Sequence, residues 1–162
     1  MLIRRLVLAT MIFSLAGCMS HVYQPYNILS GGFSEEKISE NHYSVEYEGN
    51  PNLERQKTID FTLLRAAVIA QKAGAPSFQS SRIDAKTTRV HSQYGTSEFT
   101  NTALYLELLK TSVTPKKSGC WAAHFKVGKA REDIRFIHDT ASCIEELKTK
   151  LELTDDQIFR EK

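Results

Sequence analysis

The chain has 162 residues, of which 21 are basic and 19 are acidic, so its formal net charge is +2. Arg4 and Arg5 are the only basic residues of positions 1–17, which leaves the rest of the chain formally neutral. A neutral chain has no basic face to displace the counterions of a polynucleotide, which argues against a nucleic-acid partner. The length fits one domain with its own hydrophobic core.

The N-terminus has the pattern of a bacterial lipoprotein signal. Arg4 and Arg5 precede a short apolar run that ends in Leu-Ala-Gly-Cys at 15–18. A secretory leader needs this order of a basic region, a short apolar region and small residues at the cleavage site. The thiol that follows predicts a signal peptide at 1–17 and lipidation of Cys18. The run itself is too short to span a bilayer, which needs about 20 apolar residues.

An acylated Cys18 predicts a protein held in a bilayer by its lipid chains, with that bilayer as its first partner. By resemblance to lipoproteins of enteric-type bacteria, Met19 in place of a retaining Asp favours the outer membrane, with the domain in the periplasm. Residues 18–33 carry Pro25 and two glycines without a clear periodicity, which predicts a flexible tether. The alternative is that Tyr23, Tyr26 and Ile28 dock on the domain. Residues 34–162 then form a single domain.

Cys120 and Cys143 form an even pair in the oxidising compartment that a secretory signal implies. We therefore predict a disulfide between them, with free thiols as one alternative. A metal site is the other alternative, because His124 and His138 would complete a set of zinc-compatible ligands with the two cysteines. The spacing matches no standard zinc motif, however, and no cofactor is expected.

The first half of the chain predicts two strands and a long helix. The strands are at 34–38 and 42–48, and the second alternates apolar Tyr and Val with Ser and Glu, as a half-buried strand does. Asn50 and Pro51 suit the start of a helix, and Gly74 suits its end. Apolar residues recur on one face of the helix at 51–73, which predicts that it packs across a sheet.

The second half is less regular, and its predictions depend on short patterns. Alternating leucines favour a strand over a helix at 103–113, and Asp139 is a suitable cap for a helix. In chain order we predict a strand near Ile83, a loop at 92–102 and the strand at 103–113. Strands at 120–127 and 134–137, a helix at 141–153 and a short helix that begins at Thr154 follow.

No catalytic motif is present in the sequence. It has no Gly-x-Ser-x-Gly elbow, His-Glu-x-x-His helix, phosphate-binding loop or dinucleotide fingerprint. Neighbouring carboxylates such as Glu145 and Glu146 point apart on a helix, so they do not form an acid–base pair. The chain is therefore expected not to be an enzyme.

Three short segments carry a family resemblance. They are Gly-Phe-Ser at 32–34, a Tyr/Val strand that ends in Gly49-Asn50, and Leu-Leu-Arg-Ala-Ala at 63–67. They resemble the Gly-Tyr-Ser, Gly-Asn and Leu-Leu-x-Arg-Ala-Ala pattern of an uncharacterised family of small proteobacterial outer-membrane lipoproteins. The resemblance implies a periplasm-facing α+β domain on an outer-membrane anchor, without known catalytic residues. The chain departs from the pattern after Gly74.

These observations predict an α+β fold, with a small, mainly antiparallel sheet, one long helix across it and a C-terminal helix beside it. Arg65 on the long helix is expected to form a surface ion pair with Asp60 or a strand carboxylate. The predicted function is that of a lipid-anchored, non-enzymatic binding or accessory protein for another envelope component. The alternative is a small-ligand or metal-binding domain that uses Cys120, His124, His138 and Cys143.

Overall fold

The computed structural model describes residues 23–51, 53–115, 119–121 and 135–160. They form a six-stranded, antiparallel sheet with helices, which confirms the predicted α+β class. The first elements are β1 (Gly32–Lys37), β2 (His42–Glu48), α1 (Arg55–Lys72), β3 (Ser77–Ser80) and β4 (Asp84–Ser92). They are followed by β5 (Gly95–Leu109), β6 (Phe136–Asp139), α2 (Thr140–Leu151) and α3 (Asp155–Ile158).

The long strand β5 organises the sheet, whose order is β1-β2-β5-β3-β6. One edge of β5 pairs with β2, and the other edge pairs with β4 and then with β3. Ser80 pairs with Leu106 and Asp84 with Ala103. Between these two pairs, the three residues 81–83 therefore oppose the two residues 104–105 of β5. This is a β-bulge, and it makes β3 and β4 one bent strand. The hydroxyl of Ser81 fills the bulge by accepting the N–H of Tyr105 at 3.0 Å.

Helix α1 is buried around most of its circumference. Every residue from Thr58 to Ala70 is buried, because the sheet covers one side of the helix and α2 packs against it as well. The helix begins at Arg55, four residues later than predicted. Asn50 and Pro51 form a turn instead, in which the N–H of Leu53 donates to the carbonyl of Asn50 at 3.0 Å.

The predictions for 78–102 were partly wrong, since the strand near Ile83 is present as β3 and β4, whereas the loop at 92–102 is not. Ile83 is buried in the bulge between two strands, and the expected loop at 92–102 belongs to a hairpin. Residues 84–92 of β4 pair with residues 95–103 of β5, and two residues join the strands. The outer part of this hairpin is exposed and rich in threonine, so it lacks the apolar alternation by which a half-buried strand is recognised.

The described part of the predicted tether, 23–33, packs on the domain. Tyr23 is fully buried, with its ring 4.8 Å from that of Phe33 and 5.6 Å from that of Phe61. The backbone is held as well, because Phe33 exchanges hydrogen bonds with Gln24 and Tyr26 at 2.9 and 2.8 Å. The folded domain therefore includes residues from Tyr23 onward, and the aromatic ring of Tyr23 supplies the burial that holds this segment in place.

The C-terminal predictions are largely confirmed. Strand β6 lies two residues later than predicted, and α2 has Asp139 as its cap, with the carboxylate accepting the N–H of Ser142 at 2.9 Å. Thr154 and Gln157 form the capping box of α3. The strand predicted at 120–127 lies outside the described residues, apart from Cys120 and Trp121, which are not in a strand. Within the described part of the chain, no helix has the length and apolar character needed to cross a membrane.

Candidate functional site

One face of the sheet packs on α1, and we call the opposite face the open face. Since side chains alternate along a strand and pair across strands, the register assigns its members. Their side chains are exposed or half-buried, without a fully buried member. Where β1, β2, β4 and β5 lie side by side, they are Ser34, Glu36, His42, Ser44, Glu46, Glu48, Asp84, Lys86, Asn101, Ala103, Tyr105 and Glu107.

The open face is acidic. Five of its side chains are carboxylates and one, Lys86, is an ammonium group. The imidazole of His42 lies 4.0 Å from the carboxylate of Glu107, the residue it pairs with across the strands. An antiparallel sheet with a polar face of this kind is stable in water, since its other face supplies the core.

A shallow cleft of about 340 Å³ opens on this face where β1, β2, β4 and β5 meet. Glu46, Glu48 and Asp84 supply its carboxylates, Lys86 its positive charge and Asn101 an amide. Among the described residues, the lining contains neither histidine nor cysteine. The cleft is therefore suited to hydrogen bonding and charge pairing with a bound group, and it does not bring together a nucleophile and an imidazole base.

A partly buried ion pair lies at the edge of the sheet, between α1 and β1. Arg65 is 5% exposed, and its guanidinium donates to the two carboxylate oxygens of Glu35 at 2.5 and 2.8 Å. The guanidinium carbon also lies 4.1 Å from the centre of the Phe33 ring. The predicted ion pair of Arg65 with a strand carboxylate is thus present, with Arg65 buried and Glu35 about one-third exposed. Asp60, the other expected partner, pairs with Lys150 at 2.7 Å.

The structure joins Cys120 and Cys143 in the predicted disulfide, with their Cα atoms 4.7 Å apart. Loop residue Cys120 is also fixed by its N–H, which donates to the carboxylate of Glu146 at 2.7 Å. A ring nitrogen of His138 and the two sulfur atoms all lie within 4.8 Å of one another. The disulfide thus links Cys120, which precedes β6, covalently to α2, next to His138.

His138 is held in the core as a neutral ring. Its Nε2 is 2.9 Å from the hydroxyl of Ser80, and its ring stacks on Phe78 with the centroids 4.6 Å apart. Burial lowers the pKa of His138 to about 4. Its Nδ1 has no hydrogen-bond partner within the described ranges. Since Ser80 is fully buried, this Ser–His pair is not placed to meet a substrate.

Three of the four residues of the predicted metal set thus meet in space, namely Cys120, His138 and Cys143. His124 lies outside the described residues, as does the predicted lipidation site Cys18. Two features were not predicted, the open face as a continuous surface and the burial of Arg65. The outward Ser and Glu of β2 indicated part of the open face, whereas the polar hairpin that completes it had no comparable signal.

The fold and its surfaces define a small α+β domain with an acidic sheet face that no helix of the described residues covers. Neither a protein-family model, nor a curated protein, nor a solved structure matches the chain. The resemblance to small outer-membrane lipoproteins therefore stays a prediction from three short segments.

Proposed function

We propose that the protein is a lipid-anchored envelope protein whose domain binds another envelope component without catalysis, through the open face. The lipoprotein signal supports the location, since Cys18 would carry the acyl chains. The observation that carries the binding role is the exposed sheet face with its polar cleft. Among the described residues, helices pack on the other face of the sheet only, so an acidic surface on four strands is exposed.

The charge of the open face indicates the chemistry of the partner. Five carboxylates and one ammonium group favour a basic surface, because complementary charges steer encounter and select partners. The sheet fixes the positions of these charges for binding, since Glu46 and Asp84 lie on the two strands that pair with β5. Binding of this kind weakens as salt rises, because exposed charges are screened.

Crosslinking in living cells tests the proposal. A photo-reactive amino acid replaces Asn101, which is exposed on the open face and lines its cleft, in the full chain with Cys18 intact. The matched control replaces Thr149, an exposed polar residue on α2. We expect an adduct with a basic envelope component from position 101 and not from 149. Adducts of equal yield from both positions, or recovery of the protein alone, would contradict the proposal.

The second candidate function is metal or small-ligand binding, and the close approach of Cys120, His138 and Cys143 is the observation that favours it. Thiolates and a neutral imidazole are zinc ligands. In the disulfide the two sulfur atoms are bonded to each other, so this candidate applies to the reduced protein.

Intact mass spectrometry of the protein, purified from cells without reductant, tests the metal candidate. A mass about 2 Da below that of the dithiol, without bound metal, would contradict it, because disulfide formation removes two hydrogens. The full dithiol mass with one equivalent of metal would support it. A chain with His138→Ala is the control, since it keeps both cysteines and should lose the metal.

A further inference from the structure

The segment before β1 ends in a turn that displays two aliphatic side chains to solvent. Ile28 is 86% exposed and Leu29 is 87% exposed, and Tyr26 beside them is 44% exposed. A single exposed apolar residue is ordinary on a protein surface. Two adjacent ones at the tip of a turn, next to a half-exposed tyrosine, form a compact apolar projection.

Hydrogen bonds hold this turn in shape. The carbonyl of Asn27 accepts the N–H groups of Ser30 and Gly31 at 3.3 and 2.9 Å, and its side-chain oxygen accepts the N–H of Leu29 at 2.8 Å. Gly31 adopts φ +72°, a conformation that favours glycine. Because the backbone of the turn is fixed, the aliphatic side chains at its tip point away from the core.

The turn also lies close to the predicted lipid anchor. Five residue steps separate Cys18 from the buried Tyr23, a distance of at most about 18 Å when fully extended. The chain that enters the domain here runs beside the turn, since the amide of Gln24 donates to the hydroxyl of Ser30 at 2.5 Å. An acylated Cys18 would therefore keep Ile28 and Leu29 near the bilayer surface.

The composition of this segment suits entry into a bilayer interface. Residues 23–34 include no charged side chain. Insertion would therefore desolvate no charge, and it would need no anionic lipid. Tyr26 adds a ring of the kind that is enriched at the level of lipid headgroups.

We propose that Ile28 and Leu29 insert into the bilayer interface as a second membrane contact beside the lipid anchor. The occupant of the apolar projection is thus phospholipid. This contact orients the domain, because two points of attachment at the Gly32 end of β1 direct that end of the sheet towards the membrane. The inference rests on the proposed function, since it needs an acylated Cys18.

Site-specific fluorescence in vesicles tests this contact. The full chain is expressed with Ile28→Cys, so that lipid occupies Cys18, the disulfide occupies Cys120 and Cys143, and the new thiol is free for an environment-sensitive dye. The matched control is Ile38→Cys, an exposed isoleucine just beyond the opposite end of β1. Both proteins are reconstituted in vesicles of neutral phospholipid that contain nitroxide-labelled lipid.

We expect the dye at position 28 to shift to shorter wavelength and to be quenched several-fold more by the nitroxide lipid than the dye at 38. Equal quenching at both positions in protein that floats with the vesicles would overturn the insertion and leave the anchor intact. A blue shift at 28 without quenching would also overturn it, because protein would then cover the turn. Protein that does not float with vesicles would refute the lipid anchor, and the inference with it.

Discussion

Arg65 is the residue at which a single substitution should have the largest electrostatic effect on stability. Its charge is inside the protein, whereas the side chain of its partner, Glu35, is about one-third exposed. Removal of one member of a buried pair leaves an uncompensated charge and typically costs 3–5 kcal/mol. In this pair the loss of free energy of unfolding should lie at or below the lower end of that range, because Glu35 is partly exposed and water screens its charge.

We predict that Glu35→Gln lowers the free energy of unfolding by about 1.5 kcal/mol, since Gln keeps one acceptor for the guanidinium. Arg65→Ala should cost about 3 kcal/mol, because it also removes the packing of the guanidinium on Phe33. Urea unfolding measures both. The control is Glu36→Gln on the open face, which should change stability by less than about 0.5 kcal/mol. A comparable loss at Glu36 would contradict this account of the pair.

His138 predicts how stability depends on pH. Its pKa is about 4 in the folded protein, below the ordinary value of 6.5, so the unfolded chain binds more protons between these two values. The stability contributed by the neutral ring is therefore complete above pH 6.5 and is lost as pH falls towards 4. The full loss is about 3 kcal/mol, from the difference in pKa.

The measurement is the free energy of unfolding of wild-type protein and of His138→Gln between pH 7 and pH 4. The wild type should lose about 3 kcal/mol more than the variant over this range, because Gln does not titrate. His91→Gln, at an exposed position of the β4–β5 hairpin, is the control and should leave the wild-type slope unchanged. Parallel curves for wild type and His138→Gln would show that His138 is not the group responsible.

At the scale of elements, the sequence predicts those strands and helices that are buried on one side, because their apolar residues then recur with a regular period. Strand β2 alternates Tyr and Val with Ser and Glu, and α2 has a capping residue and an apolar stripe, so both were predicted. The β4–β5 hairpin was missed because its outer half is exposed on both faces. No periodicity marks such a strand, and only its threonines favour extended backbone.

For residues 23–33, packing on the domain was only the alternative to the predicted tether, for a different reason. Their fold depends on one side chain, Tyr23, that enters a pocket built by β1 and α1, and a contact of this range has no local signal in the sequence. The same applies to the burial of Arg65. The cysteine pair, in contrast, could be predicted from count and compartment alone.

Gly32 should control the attachment of this segment. It adopts φ +133°, and a Cβ there would lie 2.5 Å from the carbonyl oxygen of Gln24 and 2.7 Å from that of Pro25. We predict that Gly32→Ala displaces the segment from β1 and costs at least about 2 kcal/mol. Proteolysis within 24–31 should become faster in the variant.

The matched control is Gly74→Ala. Gly74 also has a positive φ, of +70°, but a Cβ there would meet nothing within 4 Å. Its substitution should therefore cost only the backbone term, about 1 kcal/mol, and leave the proteolysis of 24–31 unchanged. Equal costs at the two glycines would mean that the contact with Gln24 and Pro25 does not hold the segment.

At the scale of the whole molecule, the proposed membrane contact adjoins one end of the open face, because Tyr26 and Gly32 also line its cleft. The turn at Ile28 and Leu29 precedes β1, and the open face extends from there along β1 and β2 to Glu36 and His42. A membrane contact through the turn would attach one end of β1 and leave the other end of the open face available. A lipid-anchored binding domain requires this, since anchoring must not cover the whole surface that binds.

The disulfide should contribute to the free energy of unfolding of the whole domain. It links residues 23 positions apart, and the chain-entropy model gives about 3.5 kcal/mol for a loop of this length. We predict that Cys120→Ser with Cys143→Ser lowers the free energy of unfolding by about this amount, and that a reductant does the same to the wild type. The loss is a large part of the 5–15 kcal/mol that is usual for the free energy of unfolding of a domain.

Urea unfolding with and without reductant measures this loss. The double variant, which should not respond to reductant, is the control. A wild-type midpoint that does not change with reductant would show that the bond contributes no stability, in which case Glu146 and the core around Cys143 would hold the loop to α2 without it.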